Sequence, residues 1–267
     1  MMPIISFVFP ILYVAIMGAI FNVLSQITPS IILPAVWSIG IITTTLICIP
    51  QMIFEMQHSI VIKRLGMSKY KPWMFYSIMV LYFAIINLIS YFCLIGVSYL
   101  VLLDNHIFVT NLLTNANYPE VLFALLMTFL TGLSIGLFLV SVSKTILQIQ
   151  IIGSIILLIS LLLAGMIMPI AMCYSNVPYR CMTFISPFTY TNSMLTEAWF
   201  YNQVPFNTLT SSIFSPGDVY MSSVIMSSVS SLVLFTSWQK WMNLLIPVIL
   251  IISLMGFSLN KLSFNKK

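Results

Sequence analysis

Side chains able to do chemistry are scarce in this sequence, and most of them fall in one stretch. Five of the fifteen charged residues lie between Glu55 and Lys71, in a chain where only 6% of residues are charged. His58 lies in the same stretch, whereas His106 is in a separate loop, so no shared metal site is expected. No glycine-rich phosphate loop, dinucleotide fingerprint or H-E-x-x-H motif occurs, and we therefore expect no enzyme activity on this chain.

The charged stretch has the periodicity of a short amphipathic helix, which we call the polar helix 55–71. One face carries a mostly apolar stripe at helical spacing, made of Phe54, His58, Val61, Ile62 and Leu65. Ser59, Lys63 and Arg64 lie on the other face, and Glu55 in the first turn suits the helix dipole. Pro72 bars continuation of the helix. Such a helix lies flat on a membrane surface; its polar face either docks a soluble partner or only satisfies charge topology.

The elements that position this helix follow from composition. Hydrophobic residues make up 60% of the chain, a balance that the surface of a soluble domain does not have. Because about 20 apolar residues cross a bilayer as a helix, we predict an all-α membrane protein with a single transmembrane domain over residues 1–267. The six predicted spans cover about 3–24, 31–54, 73–97, 121–143, 146–169 and 242–259. Span four contains Gly132, Ser134 and Gly136, which permit close approach of a neighbouring helix.

Residues 170–241 differ from the rest because they are rich in proline, serine, threonine, asparagine and aromatic residues. Ser186-Pro187 is a typical helix start, with serine as the cap and proline in the first turn. The following segment, Phe188–Tyr201, is too short to cross a bilayer, so we predict a re-entrant or surface helix. Within it, Glu197 is either a solvated residue on the outer surface or part of a gate.

The four cysteines contain no C-x-x-C pair. Cys48 and Cys93 lie inside apolar runs, where we expect packing roles. Cys173 and Cys181 share one loop and can form a disulfide if that loop is extracytoplasmic.

The distribution of charge predicts the orientation of the chain. With the polar helix and the C-terminus in the cytoplasm, that side holds eight of the ten basic residues, namely Lys63, Arg64, Lys69, Lys71, Lys144, Lys261, Lys266 and Lys267. Arg180 and Lys240 remain outside. The opposite orientation would violate the positive-inside rule, so both termini are predicted to be cytoplasmic and the number of spans even.

Three motifs occur in a fixed order along the chain. Glu55 and the polar helix, with Ile60-Val61-Ile62-Lys63-Arg64-Leu65 and then Lys71-Pro72, follow span two. The small-residue-rich span four ends in Ser141-Val142-Ser143-Lys144. A step from Gly165 to Pro169 precedes the segment Ser186-Pro187-Phe188-Thr189-Tyr190. In these motifs the chain resembles the permease subunits of the ABC type-2 exporter family, although that family's glycine-threonine pair near Ser59 is absent. The family begins with a cytoplasmic interfacial helix before span one, whereas this sequence starts at Met1 directly in an apolar run; either the start is truncated or the contact is made differently.

The resemblance implies a transport subunit with a defined set of partners. It implies six spans, a coupling helix after span two, and re-entrant or surface helices before span six. Partners would be cytoplasmic ABC ATPase subunits, a second permease subunit in a homodimer or heterodimer, and membrane lipids, with no nucleic acid. This chain would bind no cofactor, because ATP and Mg would bind the partner ATPase. The setting would be a bacterial plasma membrane.

The resemblance also assigns candidate site residues. The residues expected to couple to the ATPase are Glu55, Ser59, Lys63 and Arg64. The candidate residues of the re-entrant region are Pro169, Pro187, Tyr190 and Glu197. The function that follows is ATP-driven export of a hydrophobic or amphiphilic cargo.

Two other functions remain open on the sequence, an ion-coupled carrier or channel and a non-transporting membrane scaffold. The predicted spans contain no charged residue, whereas an ion-coupled carrier usually needs an ionisable group at mid-membrane. A pathway lined by apolar, aromatic and hydroxyl groups suits an amphiphilic cargo better than an ion.

Overall fold

The structure, a computed structural model, describes residues 8, 10–16, 29–58, 72–101, 113–114, 116–167, 182–183, 185–199 and 237–261. Every regular element within these residues is helical. In chain order the elements are α1 (Pro29–Trp37), α2 (Ile39–Thr43), a π-helical segment (Thr44–Cys48), α3 (Ile49–His58), α4 (Pro72–Val101), α5 (Tyr118–Val142), α6 (Ile146–Leu163), α7 (Pro187–Trp199) and α8 (Ser237–Lys261).

Five stretches in the described part are long and apolar enough to cross a membrane, namely Leu33–Met56, Ile78–Val101, Tyr118–Val142, Ile146–Leu163 and Trp241–Ser258. They correspond to predicted spans two to six. The all-α membrane fold predicted from the sequence is confirmed. The predicted first span lies mostly outside the described residues. Residues 170–181 and 200–236, predicted to be extracytoplasmic, also lie outside them.

The second span lies at the centre of the bundle. It consists of α1, α2, the π-helical segment and α3, and nearly all of its side chains are buried. α5 packs along it, while α4, α6 and α8 are mostly exposed on their outer sides. The exposed positions are large and apolar, as at Ile85 and Phe92 of α4 and Ile252 of α8. Apolar side chains facing outward from long apolar helices are what a lipid environment requires.

The predicted close approach at span four is confirmed. Gly136 of α5 packs against the second span so tightly that an added Cβ would lie 2.5 Å from the Thr45 carbonyl oxygen. A Cβ on Gly132 would run into the Thr45 side chain. From the other side, Gly153 of α6 packs on the Leu46 carbonyl oxygen, at 2.8 Å from its would-be Cβ. Small residues therefore let two helices reach the backbone of the second span.

Local features of the sequence explain where α6 begins and ends. Thr145 caps its start by accepting a hydrogen bond from the Gln148 backbone N–H at 3.3 Å, and Gln148 Oε1 accepts one from the Lys144 N–H at 2.9 Å. The helix ends at Leu163, short of the Pro169 limit predicted for span five. Gly165 has φ 83°, a left-handed conformation that stops a helix and that glycine adopts without strain.

Cys48 is buried in the core, as its predicted packing role requires. Cys93 is exposed on the outer side of α4, so the prediction of a packing role within this chain is wrong for that residue. Helical spacing places it on the same face as Phe92 and Ile89, the face turned away from the bundle.

Candidate functional site

The C-terminal end of the second span presents one carboxylate. Glu55 is exposed, while the preceding residue Phe54 is buried in the core. α3 runs from Ile49 to His58, so Glu55 lies on the same continuous helix as the buried span. Any force on Glu55 therefore acts on the span directly, without an intervening loop. Ser59, Lys63 and Arg64, the other predicted coupling residues, lie outside the described residues.

Two glutamines tie this carboxylate to a neighbouring helix, and sequence reasoning missed both. Gln51 Nε2 donates to Glu55 Oε1 at 3.0 Å, one helical turn away. Gln150 of α6 donates through Nε2 to Gln51 Oε1, also at 3.0 Å. Gln51 could have been found from the sequence, because on a helix a glutamine four residues before Glu55 lies next to it. Its partner Gln150, in another span, could not be identified without the fold.

At the other end of the bundle, α7 is a short helix enclosed by longer ones. It packs against α5 and α8, and also against α1 and α6. Tyr190 is buried, and Pro187 and Glu197 are partly buried. Nine of its thirteen residues are buried, so the helix lies among the spans rather than flat on a surface. Pro169, the remaining predicted residue of this region, is outside the described residues.

The start of α7 corrects one expectation. The helix begins at Pro187 as predicted, but Ser186 does not cap it. The Ser186 hydroxyl is buried and has no hydrogen-bond partner among the described residues. The Thr189 N–H donates instead to the Ser186 carbonyl oxygen at 3.2 Å. The backbone of Ser186, rather than its side chain, thus satisfies a free N–H in the first turn.

Asn192 joins α7 to two spans, an arrangement we call the Asn192 clasp. Its Oδ1 accepts a hydrogen bond from the Ser38 hydroxyl of the second span at 2.9 Å. Its Nδ2 donates to the Ala164 carbonyl oxygen at the end of α6, at 3.1 Å. Asn192 is buried, and in an apolar interior an amide without such partners would be costly. The Thr189 hydroxyl adds a second bond to α6, through the Leu163 carbonyl oxygen at 3.3 Å.

An aromatic cluster lies beside the Asn192 clasp. Trp37 of the second span meets Trp199 of α7 edge to face, with ring centroids 5.0 Å apart. Both indoles have acceptors: Trp199 Nε1 donates to the Tyr91 hydroxyl at 2.9 Å, and Trp37 Nε1 donates to the Ser98 hydroxyl at 3.0 Å. Aromatic packing with satisfied polar groups gives this end of the bundle one defined arrangement.

The Asn192 clasp should contribute measurably to stability. We expect Asn192→Ala to destabilise the protein by about 1–2 kcal/mol, since side-chain hydrogen bonds within membrane bundles average about 0.6 kcal/mol and reach about 1.7. The matched control is Ser193→Ala, because among the described residues the Ser193 hydroxyl donates only to the Tyr190 carbonyl oxygen of its own helix. Thermal unfolding in detergent measures both variants. Equal melting temperatures for the two would show that the clasp adds nothing.

The two groups of candidate residues lie at opposite ends of the bundle. Gln150 marks the Glu55 end of α6 and Ala164 marks the Asn192 end, a separation of about 21 Å at 1.5 Å per residue. The second span touches both groups, through Gln51 at one end and Ser38 at the other. In the described part of the chain no three His, Cys, Asp or Glu side chains are grouped to hold a metal. The second span therefore connects the two groups of candidate residues.

Comparison with known proteins agrees with this geometry. The family model described as ABC-2 type transporter matches residues 1–200. The match takes in α1 to α7, including Glu55 and the Asn192 clasp. No curated protein and no solved structure matches the chain.

Proposed function

The chain belongs to the ABC-2 type transporter family, and from that premise we propose that it is the permease subunit of an ATP-driven exporter. The family resemblance predicted from the sequence is confirmed, and the chain is a multi-pass membrane component of a transporter. Permeases of this family generally work with ABC ATPase partners. We propose that separate ATPase subunits, which bind ATP and Mg, drive this permease in a dimer.

The observation that carries the proposal is the continuity of the second span. Its inner end exposes Glu55, its middle is buried between glycine-bearing helices, and its outer end holds α7 through Ser38. An ATPase that moves the inner end therefore acts on the packing of α7 about 21 Å away. This connection supports coupling of ATP hydrolysis to opening at the outer end, with Lys63 and Arg64 as further contacts to the ATPase.

The proposed cargo is hydrophobic or amphiphilic. The buried polar groups of the described spans are hydroxyls and amides, such as Thr44, Asn87 and Thr131, rather than charged groups. Hydroxyls and amides can contact polar parts of an amphiphile, but they cannot carry the charge of a coupling ion. The lack of buried charged side chains in the described spans favours an ATP-driven exporter over an ion-coupled carrier.

Reconstitution with the ATPase that co-purifies with the chain tests the proposal. In proteoliposomes, an amphiphilic dye or a fluorescent short-chain phospholipid should stimulate ATP hydrolysis and move away from the ATPase side only when ATP is present. Vanadate should stop both. Movement driven by a proton or sodium gradient without any ATPase would contradict the proposal and favour an ion-coupled carrier.

The proposed orientation places both termini and Glu55 in the cytoplasm, on the split of eight basic residues to two. Single cysteines at Asn115 and Asn207, in a chain freed of its native cysteines, should react with an impermeant thiol reagent in intact cells. A cysteine at Lys144, in the turn between α5 and α6, is the control and should react only after lysis. Protection of both outer positions until lysis would contradict the orientation.

A further inference from the structure

Two glutamines form a directed chain of hydrogen bonds at the Glu55 end of the bundle. An ionised carboxylate can only accept hydrogen bonds, so Gln51 must turn its Nε2 toward Glu55 Oε1, which lies 3.0 Å away. This leaves Gln51 Oε1 as an acceptor, and Gln150 of α6 donates to it through Nε2, also at 3.0 Å. The charge of Glu55 therefore fixes the orientation of both amides and makes Gln150 a donor.

The widened turn before Gln51 directs its side chain toward α6. Residues Thr44–Cys48 are π-helical, and Pro50 just after them has no backbone N–H with which to continue the regular ladder. A π-helical turn holds one residue more than an α-helical turn. In a regular helix of the same sequence, Gln51 would therefore point about 100° away from its present direction. The register set at this turn lets Gln51 meet Gln150.

α6 also contacts the second span in the middle and at the other end. Gly153 packs on the Leu46 carbonyl oxygen, which Pro50, four residues further on, cannot supply with its regular hydrogen bond. At the far end, the Asn192 clasp bonds both helices. Apolar side chains of the two helices share one buried cluster, which includes Ile39, Ile42, Leu46, Leu157 and Leu161. The two helices are therefore joined along their whole length.

The outer side of α6 is different. Its side chains there are apolar and exposed, as at Ile151, Ile155 and Leu158. In the part of the chain that the structure describes, α6 packs mainly on the second span. The position of α6 therefore depends on its attachments to that span, and Gln150 makes the attachment nearest to Glu55.

We propose that Gln51 and Gln150 are positioning residues that make α6 move together with the second span when an ATPase acts on Glu55. The proposal rests on the proposed function, which supplies the force at the Glu55 end. The hydrogen bonds hold the two helix ends side by side, and the buried cluster joins the helices beyond them. Both helices then reach α7, the second span through Ser38 and α6 through Ala164. Movement at Glu55 is delivered to α7 by two helices rather than one.

Gln150→Met tests the positioning role, because methionine has a similar length but cannot donate a hydrogen bond to Gln51. We expect the number of cargo molecules moved per ATP hydrolysed in proteoliposomes to fall by about three-fold or more, as the loss of one hydrogen bond allows. The melting temperature in detergent should be unchanged. A variant that was only less stable would lose transport and stimulated hydrolysis in proportion, and would keep this ratio.

Two further variants serve as controls. Gln150→Lys restores a donor and should keep at least half of the wild-type ratio. Gln148→Met changes the same residue type on the same helix and should keep the whole ratio, because among the described residues the Gln148 side chain bonds only the Lys144 N–H. A wild-type ratio in Gln150→Met, or an equal loss in all three variants, would overturn the positioning role and leave the proposed function intact. A wild-type chain without ATP-dependent transport would instead overturn the proposed function, and the positioning role with it.

A reversible cross-link tests whether the two helices move together. Cysteines replacing Gln51 and Gln150, in a chain freed of its native cysteines, should lower the ratio of cargo moved to ATP hydrolysed. Joining them with a short bifunctional methanethiosulfonate should restore the ratio, and reduction should lower it again. The single variant Gln51→Cys treated with the same reagent should show no recovery. Transport that stops on linking and returns on reduction would overturn the proposal, since the two helices would then have to separate during transport.

Discussion

Gly136→Ala should destabilise the protein by about 1–3 kcal/mol or more, although alanine is normally the better helix former. The new methyl group would lie 2.5 Å from the Thr45 carbonyl oxygen and 2.7 Å from Pro50 Cγ. A backbone oxygen in a buried helix cannot rotate away, so α5 must move off the second span. Gly153→Ala should act in the same direction, because its Cβ would lie 2.8 Å from the Leu46 carbonyl oxygen.

The same substitution should increase the stability of the protein at two other glycines. In the part of the chain that the structure describes, no atom lies within 4 Å of a Cβ added to Gly96 in α4 or Gly256 in α8. Alanine there gains only helix propensity, worth up to about 0.5–1 kcal/mol. We therefore expect higher melting temperatures in detergent for Gly96→Ala and Gly256→Ala, and lower ones for Gly136→Ala and Gly153→Ala. A common direction for all four would mean that the close contacts do not limit the packing.

Much of this fold could be predicted from the sequence because a lipid environment requires a simple arrangement of apolar and polar residues along the chain. Long apolar stretches between polar turns predicted spans two to six, and Gly132 with Gly136 predicted close helix contact. Ser186-Pro187 correctly predicted where α7 begins. Each of these signals is local, so it needs no knowledge of which helix lies opposite.

Contacts between distant elements could not be predicted in this way. The Asn192 clasp joins residues 154 positions apart, and the Gln51–Gln150 pair joins residues 99 apart. Nothing in the pattern around Asn192 distinguishes it from other polar residues of a loop-like region. The π-helical segment also escaped prediction, although Pro50, two residues after its end, has no backbone N–H to complete the regular ladder. α6 ends at Leu163 rather than at the predicted Pro169, and Gly165 just beyond it has the left-handed conformation that stops a helix.

Reversing the charge of Lys63 and Arg64 together should uncouple the transporter. We expect Lys63→Glu with Arg64→Glu to insert normally but to lose cargo-stimulated ATP hydrolysis and export. A single exposed ion pair contributes only about 1 kcal/mol, so either reversal alone should weaken coupling mildly. Together they remove two attractions and add repulsion against acidic groups that accept Lys63 and Arg64 on the ATPase. Steady-state hydrolysis with and without a fluorescent amphiphile in proteoliposomes measures the effect.

The control must change the same amount of charge on the same side of the membrane. Lys144→Glu with Lys261→Glu does so at the turn between α5 and α6 and at the end of α8, at sequence positions outside 55–71. Placing a charged side chain in a loop costs little free energy, whereas placing it at the centre of a membrane span costs about 2.5–3.5 kcal/mol. Membrane topology alone therefore explains why Lys63 and Arg64 are predicted to lie outside the bilayer, but not why they share one face of the predicted polar helix 55–71. Normal export by the Lys63 and Arg64 double variant, with its ATPase still bound, would leave that helix with a topological role only. Loss of coupling in this variant but not in the control would assign force transmission to the polar face.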